Sequence, residues 1–470
     1  MIMKMTKLTP VLLALILSGC AVGPDYHRPA ASVPSQYKEA KGWQQARPQD
    51  ADNKGAWWAV YHDQTLAGLL QQVSISNQNV AQYEAQYRQA KALVSESRSD
   101  LFPSVTGTGA STRSGSASNT TTGSGRTVSN SHALEASASW ELDIWGKLRR
   151  TLEENKASAQ ASAAELANIT LSAQSELAQD YFQLRIMDQQ IALYQQSVEA
   201  YQRYLKVIDN KYQSGSESRA TLAQAQAQLE SARASALDLT WQRAQTEHAI
   251  AMLIGKTPAE FSLPAAPLTA TLPTIPNALP SELLQRRPDI AYAERTVASA
   301  NAAVGVAIAG YYPDLTLGAT GGFSSSTFSN LLSLPNRVWS LGPELSGTLL
   351  DFGGTSAKVD QARAAYDADV ASYRQAVLTG FQEVENYLVE LNTLQDEMLA
   401  QQRATDAAKE SARVTYNQYQ AGMIDYLDVA TTENTSLSSQ QSLLSLQSTQ
   451  WVASVQLIAA LGGGWQDKAL

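Results

Sequence analysis

"NKYQSG" (210–215) interrupts a stretch that contains almost nothing able to break a helix. Gly215 is the only glycine between Gly146 and Gly255, and residues 104–257 contain no proline. The segment is rich in Ala, Gln, Glu, Leu and Ser, which are mostly good helix formers or neutral ones. Residues 148–210 are therefore expected to form one helix of about 90–100 Å at 1.5 Å per residue. The glycine marks a turn, after which residues 216–256 run back as a second helix. Helices of that length need a partner to cover their apolar side.

The same landmark returns. "YQSG" at 212–215 recurs as "YQAG" at 419–422, an offset of 207, and "LFPSVT" (101–106) recurs as "YYPDLT" (311–316), an offset of 210. "LDIWGK" (142–147) is echoed by "LLDFGG" (349–354), "MLIGK" (252–256) by "ALGGG" (460–464), and "NQNVAQYEA" (77–85) by "RPDIAYAER" (287–295). Landmarks in constant order at near-constant spacing indicate an internal duplication. Each half reads helix, β-hairpin, long helix, turn, returning helix. The first repeat is placed at 64–256 with its hairpin at 102–142. The second is placed at 282–470 with its hairpin at 312–350. A proline-rich linker, 257–281, joins them.

The hairpins alternate. From 132 to 142 the even positions include Leu134, Ala136, Ala138, Trp140 and Leu142, and the odd ones Glu135, Ser137, Ser139 and Glu141. Leu315, Leu317, Ala319 and Phe323 alternate with Asp314, Thr316, Gly318 and Thr320, and Trp339, Leu341, Leu345 and Leu349 with Ser340, Glu344 and Thr348. These are strands with one apolar and one polar face. The joining segments, "GSASNTTTGSGRTVSN" and "SSTFSNLLSLPNR", are expected to be polar loops. A soluble sandwich would show the same alternation. Four strands flanked by very long helices make no soluble core, however, and a spanning barrel needs about eight strands or more. The strands must be completed by further copies of the chain in a closed ring.

The N-terminus supplies the address. Lys4 and Lys7 precede "VLLALIL" (11–17), an apolar run too short to span a bilayer, so residues 1–19 read as an export signal. "LSGC" places small residues before Cys20, the only cysteine, as in a bacterial lipobox; the alternative is an ordinary buried cysteine. No later stretch is a continuous apolar run of spanning length, so entry into a membrane beyond the lipid would have to be by strands. Residues 20–63 are assigned to a lipidated N-terminal segment. The net charge of −9 argues against a nucleic-acid partner. There is no P-loop, no G-x-S-x-G and no H-E-x-x-H, and His27, His62, His132 and His248 are scattered, so no catalytic site, metal or other cofactor is expected.

"GPDYHRP" (23–29), "WELDIWGKLRR" (140–150), "LPSELLQRRPDIAYAERTVASANAAVGVAIAGYYPDLTL" (279–317) and "LGGGW" (461–465) resemble the TolC-type outer-membrane efflux lipoproteins of tripartite resistance-nodulation-division pumps, over essentially the whole chain. The resemblance implies an α+β membrane protein. Three copies would form one twelve-stranded β-barrel, four strands per chain, continued by an α-helical periplasmic tunnel with an equatorial belt, to which residues 40–63 and the two ends of the chain would contribute. It implies a passive, non-enzymatic drug-efflux duct that is a homotrimer, anchored in outer-membrane lipid through Cys20. Its partners would be a periplasmic adaptor and an inner-membrane transporter. A metal-efflux or secretion duct of the same architecture, and a coiled-coil envelope spacer, are the alternatives. Trp57 and Trp58 are expected to be core residues.

The two "YQxG" turns, with Gly215 and Gly422, would mark the periplasmic tips. Related channels carry aspartates six or nine residues after this glycine, forming a ring on the axis. Asp428 matches the six-residue position, whereas Thr431 and, in the first repeat, Thr221 depart from the acidic pattern. Asp425 lies three residues before Asp428 on the same helical face. Arg219 is the candidate counter-charge, and a solvated carboxylate on an exposed turn is the alternative reading of Asp428.

Overall fold

The computed structural model describes residues 21–39, 56–120, 123–270, 272–273 and 286–463. The lipobox and Cys20 lie outside these residues, as do residues 40–55 of the N-terminal segment, 271 and 274–281 of the linker, and 282–285. In order, the elements are helices α1 (Gln64–Ser76) and α2 (Gln78–Ser99), strands β1 (Ser104–Thr120) and β2 (Gly123–Glu141), and helices α3 (Lys147–Gln213) and α4 (Arg219–Leu253). The second repeat follows as α5 (Pro288–Ala309), β3 (Asp314–Ser325), β4 (Arg337–Ser346), α6 (Gly354–Gln420) and α7 (Tyr426–Ala460). No helix among the described residues is long and apolar enough to cross a membrane.

The duplication extends to helix ends. α3 and α6 each have 67 residues and α4 and α7 each have 35. All four boundaries of the second pair lie 207 residues after those of the first (147 to 354, 213 to 420, 219 to 426, 253 to 460). The shared "LD" motif starts the long helices. Asp143 accepts the Leu148 and Arg149 amides at 2.9 and 3.0 Å, and Asp351 accepts those of Gly353 and Thr355 at 3.1 and 2.6 Å. Both satisfy N–H groups that a helix start leaves orphaned.

The chain divides into two compact units. The first contains residues up to Ala30, Gln86–Ser162 and Tyr292–Arg374, and it holds all four strands in one antiparallel sheet of order β1-β2-β3-β4. Val105 pairs with Ala138, Ala138 with Ala319, and Ala319 with Leu341; Trp140 pairs with Leu317. Paired residues share a face. The register therefore gathers the apolar parity of every strand on one side, and Thr106, Ser137, Thr320 and Ser340 on the other.

Three expectations need correction here. "GSASNTTTGSGRTVSN" is not a loop: β1 runs to Thr120 and β2 begins at Gly123. Small polar residues give no apolar alternation, yet each backbone finds its partner across the ladder. The second joining segment is not simply polar. It folds into two short 3-10 turns, Phe328–Asn330 and Leu334–Asn336, with Phe328, Leu332 and Leu334 more than two-thirds exposed. Leu349 is not in a strand, since β4 stops at Ser346.

The second unit contains Ala31–Ala85, Ala163–Ala291 and residues from Gln375 on. Its core joins Trp57, Trp58, Tyr61, Leu66 and Leu70 to Leu177, Phe182, Ile250 and Trp451. Phe182 stacks on Trp451 at 4.6 Å between ring centroids and touches Tyr61 at 5.0 Å. Trp57 and Trp58 are core residues. The linker begins as part of this unit: Arg243 and Arg185 donate to the carbonyls of Leu263 and Pro264, while Asp188 bonds both arginines.

Candidate functional site

Three regions carry the candidate chemistry: the sheet, the turns between paired helices, and the N-terminal strap. On the sheet, the polar face also holds the strand carboxylates Glu135, Glu141, Asp314 and Glu344, given the register of Glu135 with Thr108 and Glu344 with Thr316. Much of the apolar face is open in a single chain: Val105, Trp339, Leu341 and Leu345 are each about 70% exposed. β1 and β4, at the two edges, each have one neighbour.

At the helix turns the two repeats share a backbone. Gly215 donates to the Tyr212 carbonyl and Ser216 to that of Lys211; Gly422 donates to Tyr419 and Met423 to Gln418. Each pair closes a helix with a residue at positive φ, +78° and +74°, which glycine adopts without a Cβ clash. The next helices start differently. Ser218 accepts the Thr221 amide at 3.1 Å, whereas Asp425 occupies the same N-cap position of α7 with no side-chain bond. Asp428 lies in the first turn of α7, where a carboxylate opposes the positive end of the helix dipole. Asp425, Asp428 and Arg219 are all exposed. Within one chain no salt bridge joins Arg219 to either aspartate.

Behind these turns the repeats are fastened together. Ile208 and Ala225 pack with Tyr419, Tyr426, Val429 and Ala430. Tyr204 donates to Glu433 at 2.9 Å, Tyr426 to Gln228 at 2.9 Å, and Lys211 sits 4.2 Å from the Tyr419 ring centre. Burial, with the Glu217 charge beside it, pushes the Tyr419 hydroxyl up to about 12. Burial likewise raises Tyr204 and Tyr426, so all three remain neutral donors.

The strap was visible in sequence only as a signature. In the first unit Val22 donates to the Trp145 carbonyl at 2.9 Å, and buried Arg150 grips the carbonyls of Val22 and Gly23 and the Asp25 carboxylate. Glu294, almost fully buried, accepts the Tyr26 hydroxyl and pairs with Arg28. Gly23 crosses α5 at Gly305 so closely that a Cβ on Gly23 would stand 2.5 Å from the Gly305 Cα. Ala21, which directly follows Cys20, packs on Gly146, directly before α3. In the second unit, Glu385 accepts the amides of Lys38 and Glu39.

The "RRPDI" block likewise gains a role. Arg287 binds Asp289 at 2.7 Å, Glu383 at 2.6 Å and the Ala460 carbonyl at 3.2 Å, tying the end of α7 to α6 and the start of α5. Burial works against its charge, but Asp289 and Glu383 outweigh that and hold it protonated.

Comparison with known proteins places this geometry. A family model described as outer membrane efflux protein matches the chain twice, over residues 69–256 and 279–463. The chain is 28% identical over 468 residues to the cation efflux system protein CusC of Escherichia coli O6:H1, covering 99% of this chain and 100% of the relative. It is 28% identical over 476 residues to the antibiotic efflux pump outer membrane protein ArpC of Pseudomonas putida, covering 99% and 97%. The solved outer-membrane channel OprN superposes with a TM-score of 0.88 at 29% identity, over 95% of this chain and 100% of that one.

Proposed function

We propose, from the premise that the chain belongs to the outer membrane efflux protein family, that three copies close their sheets into one twelve-stranded barrel and act as the passive exit duct of a tripartite pump. The observation that carries this reading is the register. It sorts four strands into one apolar and one polar face and leaves β1 and β4 as edges of a sheet too small to close alone. Pairing β4 of one copy with β1 of the next satisfies both edges. The apolar face then meets lipid, and the polar face, with its carboxylates, lines the lumen. Trp140, Trp145, Tyr311 and Tyr312 cluster where the strands meet the helices, suiting the periplasmic girdle of such a barrel.

The helical turns would reach toward the adaptor, and an inner-membrane transporter would supply the energy, so the duct itself needs no nucleotide, metal or other cofactor. The substrate follows the pump. Relatives are named for cation and for antibiotic efflux, and a wide polar lumen accommodates either class. Lipid at Cys20 would enter the membrane beside the start of α3, where Ala21 is held. The full-length trimer reconstituted into liposomes is expected to conduct ions; purified trimer that inserts but gives no conductance would leave only a spacer role. Cys20→Ser behind a cleavable signal is expected to lose palmitate labelling while still fractionating in part with the outer membrane through its barrel.

A further inference from the structure

The charged residues of the sheet are sorted by face. Among the strand side chains that are described, all four carboxylates (Glu135, Glu141, Asp314 and Glu344) lie on the polar face, while Arg113 and Arg337 lie on the apolar one. Arg337 sits in the row Gly109–Leu134–Phe323–Arg337. Arg113 is four residues farther along β1, about 13 Å toward the hairpin tips at 3.3 Å per residue. Both arginines are exposed, and among the described residues neither forms a salt bridge with a carboxylate. They are therefore confined to the tip end of the face that otherwise carries Val105, Ala138, Leu317 and Leu341.

A second feature converges on the same end. The loop between β3 and β4 folds over this face rather than away from it. Phe328 meets the His132 ring edge-on at 5.6 Å, and His132, paired with Ser325, has the apolar parity. Asn336 donates to the Asn330 carbonyl at 2.7 Å and to Ser333 at 3.0 Å, so the loop is internally braced. It nevertheless leaves Phe328, Leu332 and Leu334 at 73%, 67% and 79% exposure. A loop meant only for water has no reason to brace itself while presenting three large apolar side chains.

We infer that this outward patch is a docking site for a phosphate-bearing lipid of the outer leaflet, with Arg113 and Arg337 binding headgroup phosphate and the loop residues Phe328, Leu332 and Leu334 contacting the lipid's apolar part, Phe328 at the His132 level between the two arginines. Guanidinium groups bind phosphate bidentately, and unpaired arginines above an apolar band match an anionic headgroup above its chains. The segregation of carboxylates to the opposite face removes the repulsion such a headgroup would meet. The patch rests on the barrel reading proposed above, because only there does this face meet lipid.

The test uses the full-length trimer reconstituted into phosphatidylcholine vesicles containing either a bis-phosphorylated glycolipid or the same glycolipid after dephosphorylation. Conductance is recorded first, and lipid retained after detergent re-extraction is then measured by mass spectrometry. The wild type is expected to retain the phosphorylated form selectively. Arg113→Gln with Arg337→Gln should reduce that retention roughly ten-fold or more, the scale of lost charged hydrogen bonds, with conductance unchanged. Phe328→Ser with Leu332→Ser should weaken retention less. Equal retention of both glycolipids, or unchanged retention in a conducting arginine variant, would overturn the site. So would equally tight binding of the deacylated, water-soluble headgroup. Absence of conductance in the wild type would remove the barrel reading and this inference together.

Discussion

The helices of the two repeats agree to the residue, 67 and 35 in each, whereas the hairpins between them do not: β1 and β2 have 17 and 19 residues, β3 and β4 only 12 and 10. The difference follows what each element must touch. The paired helices of one repeat pack on those of the other through Tyr204, Tyr416, Tyr419 and Tyr426. One inserted residue would turn the apolar face beyond it by about 100°. The ends of β1 and β2 beyond the His132–Ser325 pair face no third strand, so their length is free to drift. The shared row from Val105 to Leu341 is not free, since it must present one apolar face.

That contrast predicts a large, face-specific effect on the sheet. Leu317→Arg, on the apolar face, is expected to cost about 2–4 kcal/mol if the position lies near the bilayer midplane. Thr320→Arg, three residues along and on the polar face, should insert almost as the wild type does. Folding into vesicles, read by heat-modifiable migration and protease protection, compares them. Equal insertion would mean that the face assignment is wrong, and poorer insertion of Thr320→Arg that the two faces are exchanged.

The repeats can also do one job with different residues. The end of α4 is held by Asn77, whose side chain donates to the Leu253 carbonyl at 2.7 Å; the end of α7 is held by Arg287 on the Ala460 carbonyl. Leu253 and Ala460 are 207 residues apart, and Asn77 and Arg287 are 210 apart, so these are counterparts. Arg287→Ala would strand Asp289 and Glu383 together and should destabilise by about 2–3 kcal/mol, less than for a fully buried pair because Glu383 is partly exposed. Asn77→Ala loses one carbonyl contact and its cap on the Asn79 and Val80 amides, about 1–2 kcal/mol. Thermal unfolding of the detergent-solubilised protein ranks the two, and the reverse order would show that the ion pairs contribute little.

These counterparts mark where sequence reading reaches and where it stops. The long helices of the first repeat were legible because glycine and proline are missing from them, those of the second because the same landmarks recur, and the turns because "YQxG" places glycine where a left-handed residue is needed. The apolar strand faces were legible from period two. The outer ends of β1 and β2 were not, since Ser, Thr and Gly carry no periodic signal and only the partner strand defines them. Neither was the clasp of Arg150 and Glu294 on residues 22–28, because its partners lie more than a hundred residues apart. "GPDYHRP" and "RRPDI" stood out as motifs, but their contacts are not local.

Charge also differs between the counterpart positions of the two long helices. Glu383 and Tyr387 in α6 correspond, at offset 207, to Glu176 and Asp180 in α3. Glu383 has Arg287 beside it; Asp180 has Glu176 one turn away, and burial together with that charge pushes its carboxyl up to about 7. A folded-state value above the unfolded one means that the folded state holds the proton more tightly. Stability is therefore lost as pH rises from about 4 to 7. Asp180→Asn should match the wild type at pH 4 and exceed it above pH 7, by roughly 1–2 kcal/mol after discounting for solvent. Unfolding temperatures at the two pH values read this directly, and a pH-independent difference would place the cause in packing.

The smallest energetic difference between the repeats has the most to say about gating. Both turns close on the same glycine geometry, yet the first-repeat helix starts with Ser218 capping Thr221 and the second starts with Asp425 and Asp428. Both aspartates sit at the start of α7, where the helix dipole already favours negative charge. Their placement therefore has a local explanation as well as a pore-lining one, and the two differ in what they predict. If Asp428 faces the axis of the trimer, three carboxylates form a ring that attracts cations. Asp428→Asn should then weaken cation selectivity and cation block in bilayer recordings, with trimer formation intact. Thr221→Asp would add the missing acid to the first-repeat turn and should strengthen both, since three more carboxylates would join the ring. If the carboxylate serves only the helix dipole, Asp428→Asn changes stability by about 0.3–1 kcal/mol, and selectivity stays where it was in both variants. Opposite shifts in the two variants would make the acidic turn of the second repeat the pore-facing one, with the serine cap of the first as its neutral counterpart.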